Sequence, residues 1–402
     1  MAGRGSRDYR ADDRLRGLDW TDTLFLLRVT ILAAFCIGLL MCPTLWIGPR
    51  SYPVAPVLLM LPKLEGVVAE GLYAALFALA ALAVAVPKAQ WPLAGFLAIV
   101  AAFCLADQTR WQPWVFQYAF LLAVIALGQF RSAEPDSEQR TLNVARLVVA
   151  LTYIFSGLQK INLNFMENEF PWVITPITHL FPSTGAFLDA FGFAVPFIQV
   201  VFGAGLLTRR YRRISLISAV AMHAFILTMF GPLGLNWNDV VWPWTATMAV
   251  FDVLLFSRRA DFSWQDVVWN GRDPRHVAAV VLFAVLPALS FFNLWDSYLS
   301  SALYSGNLTE AQIYFSDVGA ASASSEIKAR LVHTSPNTNV LSLQRWAIED
   351  LNVTPYAETR VFKTIARDVC GSLRDGNQFV LIVREQRMFF SRPEAGFQCS
   401  QL

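Results

Sequence analysis

Residues Leu151–Phe170, LTYIFSGLQKINLNFMENEF, decide how the chain is read. An apolar run carrying Ser156 and Gly157 ends on Lys160, and an Asn-rich, acidic segment leads on to Pro171 and Trp172. Ammonium groups near the ends of membrane helices commonly snorkel to the interface as anchors. Here the flanks are small and polar: Ser156, Gly157, Gln159, Asn162 and Asn164. Small residues let helices close in, and amides orient an amine. Burial disfavours the charged ammonium, and a neutral amine is a competent base. Lys160 is therefore either an interfacial anchor or a reactive amine.

The surrounding composition places that lysine in a membrane. The 402-residue chain is 55% hydrophobic and only 15% charged, with mean hydropathy +0.44. A soluble domain of this size cannot bury so much apolar side chain, so runs of about 20 apolar residues are read as spans. The pattern predicts an all-α polytopic membrane protein of about nine transmembrane helices. The predicted spans are Leu24–Cys42, Gly66–Val86, Trp91–Ala106, Trp114–Phe130, Val144–Lys160, Gly185–Leu207, Ile214–Phe230, Val240–Phe256 and Val277–Trp295. Residues 1–23 form an N-terminal segment, 24–295 the membrane domain and 296–402 a small α+β extracytoplasmic domain. The first apolar run is too long for a signal peptide and is read as an uncleaved span.

Charge sets the expected orientation. Arg4, Arg7, Arg10, Arg14 and Arg16 precede the first span and put the N-terminus in the cytoplasm. Alternation then places Lys88, Arg131 with Arg140, the run Arg209–Arg213, and Arg258, Arg259, Arg272 and Arg275 on the inner side. The connection Asn162–Thr184 holds no Lys or Arg and falls outside. Lys160, the Asp107–Trp114 loop, His223, the Gly231–Trp244 loop and the C-terminal tail all reach the outer face. In the tail, Ala311–Phe315 and Phe379–Val383 read as strands and Pro355–Cys370 as a helix with Pro at its start. Cys370 and Cys399 lie in an oxidising compartment on this topology and are able to pair.

Other groups join Lys160 as candidates. Asp107 and Arg110, in DQTRWQPW, either fix a polar turn as an ion pair or serve a site; Trp111 and Trp114 are interfacial aromatics there. His223 sits mid-span in AVAMHAFILTMF, where an ionisable group is a functional candidate and an imidazole exchanges protons near pH 7. Asn236, Trp237, Asn238 and Asp239 form an outer polar loop. Glu65 and Glu70 flank the second span and either could neutralise Lys160, while Asp252 reads as a structural partner of Arg258 and Arg259. A net charge of +2 gives no reason to expect nucleic acid, and no zinc-type Cys/His spacing, Walker loop, dinucleotide fingerprint, HExxH or GxSxG occurs.

TYIFSGLQKINLNF resembles the span-plus-lysine segment of the vitamin K-dependent gamma-carboxylase family and its bacterial relatives, the HTTM (horizontally transferred transmembrane) proteins. That resemblance places the family's proposed base, the second lysine of a basic pair, on Lys160; the first falls on Gln159. DQTRWQPWVFQY resembles a second family segment on Asp107, Trp111 and Tyr118, with a family histidine falling on Trp114. A histidine before a polar outer loop and an aromatic span places His223 as a third match. The resemblance covers roughly Leu24–Arg259 and implies a bacterial inner-membrane protein with an outward-facing lysine pocket. It implies a quinol-type cosubstrate, with Lys160, His223 and Asp107 catalytic and Trp111, Trp114, Tyr118, Asn236 and Trp237 binding it. The product would modify an exported peptide or small molecule. Two other readings stay open. One is a non-catalytic scaffold whose tail binds a periplasmic partner for maturation or export. The other is a DoxX-like redox subunit.

Overall fold

The computed structural model describes residues 20–58, 60–61, 63–130, 136–257, 262–335, 338–373, 378–385 and 393–402. Arg4, Arg7, Arg10, Arg14 and Arg16, with most of the segment 1–23, lie outside the described residues, as do Arg131, Arg258 and Arg259.

Every predicted apolar stretch falls mainly on helix, though the last, expected to reach Trp295, ends at Ser290. The first five are α1 (Trp20–Met41), α2 (Gly66–Ala85), α3 (Trp91–Ala106), α4 (Pro113–Phe130) and α5 (Ser137–Gln159). In the connection after α5 follow α6 (Thr175–Leu180) and α7 (Gly185–Gly192), then α8 (Val195–Leu206), α9 (Arg212–Phe230) and α10 (Val241–Phe256). The last, α11 (Pro274–Val280), runs on through a π-helical turn to Ser290. Among the described residues four helices are long and apolar enough to cross a membrane: Thr23–Met41, Gly66–Ala85, Ser137–Gln159 and Arg212–Phe230. Pro182–Gly192 and Val195–Leu206, bent by 55°, make a fifth if they form one span. Trp91–Ala106, Pro113–Gln129, Val241–Phe256 and Pro274–Ser290 are shorter apolar helices.

Helix α5 is the central post: 78% of its apolar window is buried, against 22% for α2 and 28% for α9. It starts at Ser137, earlier than the predicted Val144, because its first turns bury polar groups that find partners. Arg146 donates to Leu255 O (2.9 Å) and Asn143 Oδ1 (2.6 Å), and Arg275 donates to Thr141 Oγ1 (2.7 Å). Such satisfied polar positions break the apolar pattern that marks a span in sequence. On its other end two glycines bring α8 close. A Cβ on Gly157 would lie 2.7 Å from Pro196 O, and one on Gly203 would lie 2.9 Å from Tyr153 Cβ. Close backbone approach through small residues is how helices associate where water provides no drive.

After residue 296 the chain forms a five-stranded antiparallel sheet. Its strands are β1 (Glu310–Phe315), β2 (Val332–Ser335), β3 (Thr338–Ser342), β4 (Phe379–Arg384) and β5 (Glu394–Gln398), in the order β2-β3-β1-β4-β5. Ile313 stands opposite Leu341 and Leu381, and alternate β1 residues Ala311, Ile313 and Phe315 are buried. Helices α12 (Leu343–Leu351) and α13 (Thr359–Gly371) complete this part. Helix α13 buries Val361, Phe362, Ile365, Ala366 and Val369, the stripe an amphipathic helix presents to a sheet. It begins at Thr359, not Pro355 as expected. Pro355 and Tyr356 are instead spent in the extended run that buries Tyr356 against Tyr298. Cys370 and Cys399 form a disulfide.

The sheet part docks on the membrane helices. Asp350 accepts from the amides of Ser51 (2.8 Å) and Tyr52 (2.7 Å), Trp346 donates to Ser51 Oγ, and Asn352 donates to Met41 O. Near residue 296, Glu358 Oε1 accepts from Ser297 N (2.8 Å) and Oγ (3.0 Å), and Arg360 Nη1 donates to Asp296 Oδ1 (2.8 Å). Burial, then the neighbouring Asp296 carboxylate, pushes the Glu358 carboxyl up to about 7. An unfolded glutamate titrates near about 4.3. The folded chain therefore holds the extra proton between those values, and stability falls as pH rises from about 4.3 to about 7. In Glu358→Gln the amide oxygen still accepts from Ser297 and carries no charge. Thermal unfolding in detergent should lose that pH-dependent component, with the variant more stable than wild type at pH 8 by up to about 4 kcal/mol. A variant that follows the wild-type pH curve would show that this carboxyl is not held protonated.

Candidate functional site

Below the sheet part lies an apolar cavity of about 160 Å3 among α5, α8, α9, α10 and the linker after α11. Lys160, Ser156, Tyr153 and Thr152 reach it from α5. These positions repeat at three- and four-residue steps, so they share one helix face. Lys160 closes the C-terminal end of α5, and its Nζ folds back to donate to Ser156 O (2.9 Å) and Ser156 Oγ (2.7 Å). An ammonium has three donors, so one N–H remains for the cavity. Glu65 and Glu70, expected as candidates to neutralise Lys160, do not line this cavity. Those two line a separate cavity with Arg50, Lys63 and Arg110.

His223 lines the same cavity from α9, and the walls otherwise are mainly apolar, among them Phe170, Val195, Phe225, Trp244 and Met248. The imidazole belongs to a buried chain. Tyr153 donates its hydroxyl proton to Asp252 Oδ2 (2.7 Å), and its oxygen lies 2.6 Å from His223 Nε2. With the proton committed to Asp252, the tyrosine oxygen accepts from Nε2–H, and Nδ1 keeps the lone pair. That Nδ1 is buried and has no hydrogen-bond partner among the described residues. His223 Nε2 and Asp252 Oδ2 are 3.8 Å apart. Asp252 thus serves Tyr153 and His223, whereas its expected partners Arg258 and Arg259 lie outside the described residues. Among the described residues no group of three His, Cys, Asp or Glu is arranged to hold a metal ion.

The other expected site residues sit elsewhere. Asp107 does not line the cavity: its Oδ1 accepts from Ala55 N and Thr109 N, and Oδ2 pairs with Arg50 at 2.7 Å. It caps the turn Gln108–Arg110, a short acceptor at a helix start doing local work. Arg110, its expected ion partner, donates instead to the carbonyls of Leu45, Phe103 and Trp46. Trp114 and Tyr118 are core aromatics around Phe35, at 5.2 and 6.1 Å between ring centroids, and Trp111 packs beside Phe116. Asn236 takes a left-handed turn (φ 48°), and Trp237 stacks edge-on against Trp172 at 5.8 Å. Trp237 lines a second, more polar vestibule of about 980 Å3 that also touches Glu169, Trp172 and the sheet. Leu303 and Tyr304 form part of the wall of both spaces.

Sequence reading brought Lys160 and His223 forward and missed Tyr153, Gln199 and Tyr304 as cavity residues. Tyr153 was findable: it lies seven residues, about two helical turns, before Lys160. Gln199 and Tyr304 come from distant segments and carry no such signal. Gln159 has a structural task next door. Its amide donates to Ser290 Oγ (2.8 Å) and accepts from Asn307 Nδ2 (2.7 Å). Compared with family models, with curated proteins and with solved structures, the chain matches none.

Replacing Tyr153 by Phe keeps the ring against Phe202 but removes the hydroxyl that joins His223 to Asp252. Two buried polar groups then lose a partner, at a cost of about 1–3 kcal/mol. Thermal unfolding in detergent should drop accordingly, and an unchanged midpoint would argue that the bridge does not form.

Proposed function

We propose that the chain is a membrane enzyme of the HTTM type, resembling the vitamin K-dependent gamma-carboxylases, in which Lys160 is the base toward a quinol-type cosubstrate. The observation that carries this reading is that Lys160 and His223 line one apolar cavity. A cavity of about 150 Å3 in an apolar core holds a benzene-sized molecule, so the 160 Å3 here fits the size of one aromatic ring. The acceptors fit a ring hydroxyl as well: an amine held by Ser156 and an imidazole held by Tyr153.

On this reading nine helices cross the bacterial inner membrane, the N-terminus is cytoplasmic and the sheet part is periplasmic. The disulfide supports that side for the sheet, since such bonds persist in oxidising compartments. Neutral Lys160 accepts the hydroxyl proton: the O–H bond breaks, an N–H bond forms, and the oxygen keeps the electron pair. Ser156 aims the amine, and its carbonyl stabilises the ammonium produced. His223 orients the ring through hydrogen bonding and exchanges a proton along Tyr153 and Asp252. Apolar walls exclude water and so strengthen each of these charges. The anion so formed would react in modifying an exported peptide or small molecule.

The test titrates purified protein with a tail-less benzoquinol under reducing conditions, reading the absorption of the bound ligand. Wild type should shift the spectrum toward the deprotonated form. Lys160→Ala should lose that shift and bind about tenfold more weakly, about 1.4 kcal/mol. An equal shift with Lys160→Ala, or no binding by wild type, would remove the reading.

A further inference from the structure

A cavity of about 480 Å3, separate from the lysine cavity and the vestibule, lies between residues 44–54 and the start of α2. Small-molecule sites commonly span roughly 300–1,000 Å3. Its lining carries both signs of charge: Arg50, Lys63 and Arg110 against Glu65, Glu70 and Asp368. Opposite charges that share a space usually pair. Among the described residues, however, only Arg50 of these six makes an ion pair, and its partner Asp107 stands outside the lining. Arg110 spends its donors on the carbonyls of Leu45, Phe103 and Trp46. Two buried donors are also left over. The Arg50 side chain is 8% exposed; Nη1 meets Asp107 and Nη2 meets Pro53 O, but Nε is buried with no hydrogen-bond partner among the described residues. The hydroxyl of the buried Tyr52 is in the same state. An unsatisfied buried donor is costly, and both residues line this cavity. An oxyanion bound there would accept from both and answer the charge of Arg110.

The position of the cavity says what the oxyanion belongs to. It stands at the end of Gly66–Ala85, a helix long and apolar enough to cross a membrane. The ends of such helices lie at the level of the headgroups. Glu65 and Glu70 flank Val67 and Val68, which are 84% and 64% exposed, and Met60 just before them is 96% exposed. Apolar side chains so exposed beside a charged cavity suit acyl chains. A soluble zwitterion would use the charges and leave the valines bare. An anionic lipid without an amine would leave Glu65 and Glu70 unmatched. A phospholipid whose headgroup carries an ammonium uses every one of these groups.

We infer that this cavity binds the headgroup of a phospholipid bearing a primary amine, of the phosphatidylethanolamine class, with its phosphate toward Arg50 and Tyr52, its ammonium toward Glu65 and Glu70, and its acyl chains along Val67 and Val68. Lys63 adds a further cation on the exposed rim. The bound lipid sits at a joint. Ser51 and Tyr52 hold Asp350 of the sheet part through their amides, and Asp368 reaches the cavity from α13. The lipid therefore fastens the sheet part to the helices. This site stands whatever the lysine cavity holds.

The test uses full-length protein in detergent and reads bound lipid by native mass spectrometry. The probes are phosphatidylethanolamine and phosphatidylglycerol with the same acyl chains, and free aminoethyl phosphate. Phosphatidylethanolamine should bind at least about tenfold more tightly than phosphatidylglycerol. In the double variant Glu65→Gln/Glu70→Gln, at two exposed positions, that preference should fall to about one. Arg50 is a poor site for substitution, because its loss strands Asp107. The phosphate side is tested by Tyr52→Phe, which keeps the ring against Trp346 and should weaken phosphatidylethanolamine about fivefold. Equal binding of the two lipids to wild type, or of neither, overturns the site. A preference that survives the double variant overturns the place given to the ammonium. Unchanged binding by Tyr52→Phe overturns the place given to the phosphate. Aminoethyl phosphate binding as tightly as the lipid overturns the lipid and leaves a soluble zwitterion as the occupant.

Discussion

Gln159 is the side chain on which the arrangement depends. It ends α5, is fully buried, and joins three parts of the chain through one amide. Its Nε2 donates to Ser290 at the end of the last apolar helix, and its Oε1 accepts from Asn307 at the entrance to the sheet. A buried amide must satisfy both ends, and an apolar substitute would leave Asn307 and Ser290 without it. The next residue turns to the opposite side, which is why Lys160 faces the cavity while Gln159 faces the tail. Asn162 continues the junction, donating to Gln159 O and Ser305 O and accepting from Phe165 N.

That junction explains why the cavity has a roof. Ser301, Leu303 and Tyr304, all from the linker held down by Gln159 and Asn162, complete the walls around Lys160. Tyr304 takes a left-handed conformation (φ 53°), unusual for a bulky residue. Its ring lies 4.6 Å from that of Phe230, and Asn238 donates to its hydroxyl at 2.8 Å. Membrane helices and sheet are consequently one packed body at this point. An apolar chamber lies on one side of Tyr304 and a polar vestibule on the other. The two chambers differ in the chemistry they suit: one an apolar group, the other a polar solute.

Much of the helical layout was legible because bilayer thickness and apolar run length are local properties. Trp91–Ala106 is found at the boundaries predicted for it. The strands at Glu310–Phe315 and Phe379–Arg384, and the Cys370–Cys399 bond, also match their local patterns. The early start of α5 was hidden by Thr141 and Asn143, polar residues whose partners are Arg275 of α11 and, on α5 itself, Arg146. The site was half legible. Lys160 and His223 stand out because ionisable groups in apolar runs are conspicuous. Asp107 stands out for the same reason and proves to be a turn cap, since a carboxylate in sequence does not show which amides it will meet.

The sequence by itself determined that this is a chain of apolar helices, several of them long enough to cross a membrane, with a small sheet at its end, and that a lysine with small polar flanks closes one of those helices. Periodicity and run length carry that information, and each is read within about twenty residues. Only the tertiary structure decided which groups share a space. Tyr153, His223 and Asp252 come from three helices, and Tyr304 from a fourth segment, 144 positions beyond Lys160 at the end of α5. Their meeting is set by the close packing of Gly157 and Gly203 and by the amide of Gln159, contacts between segments that no single segment encodes.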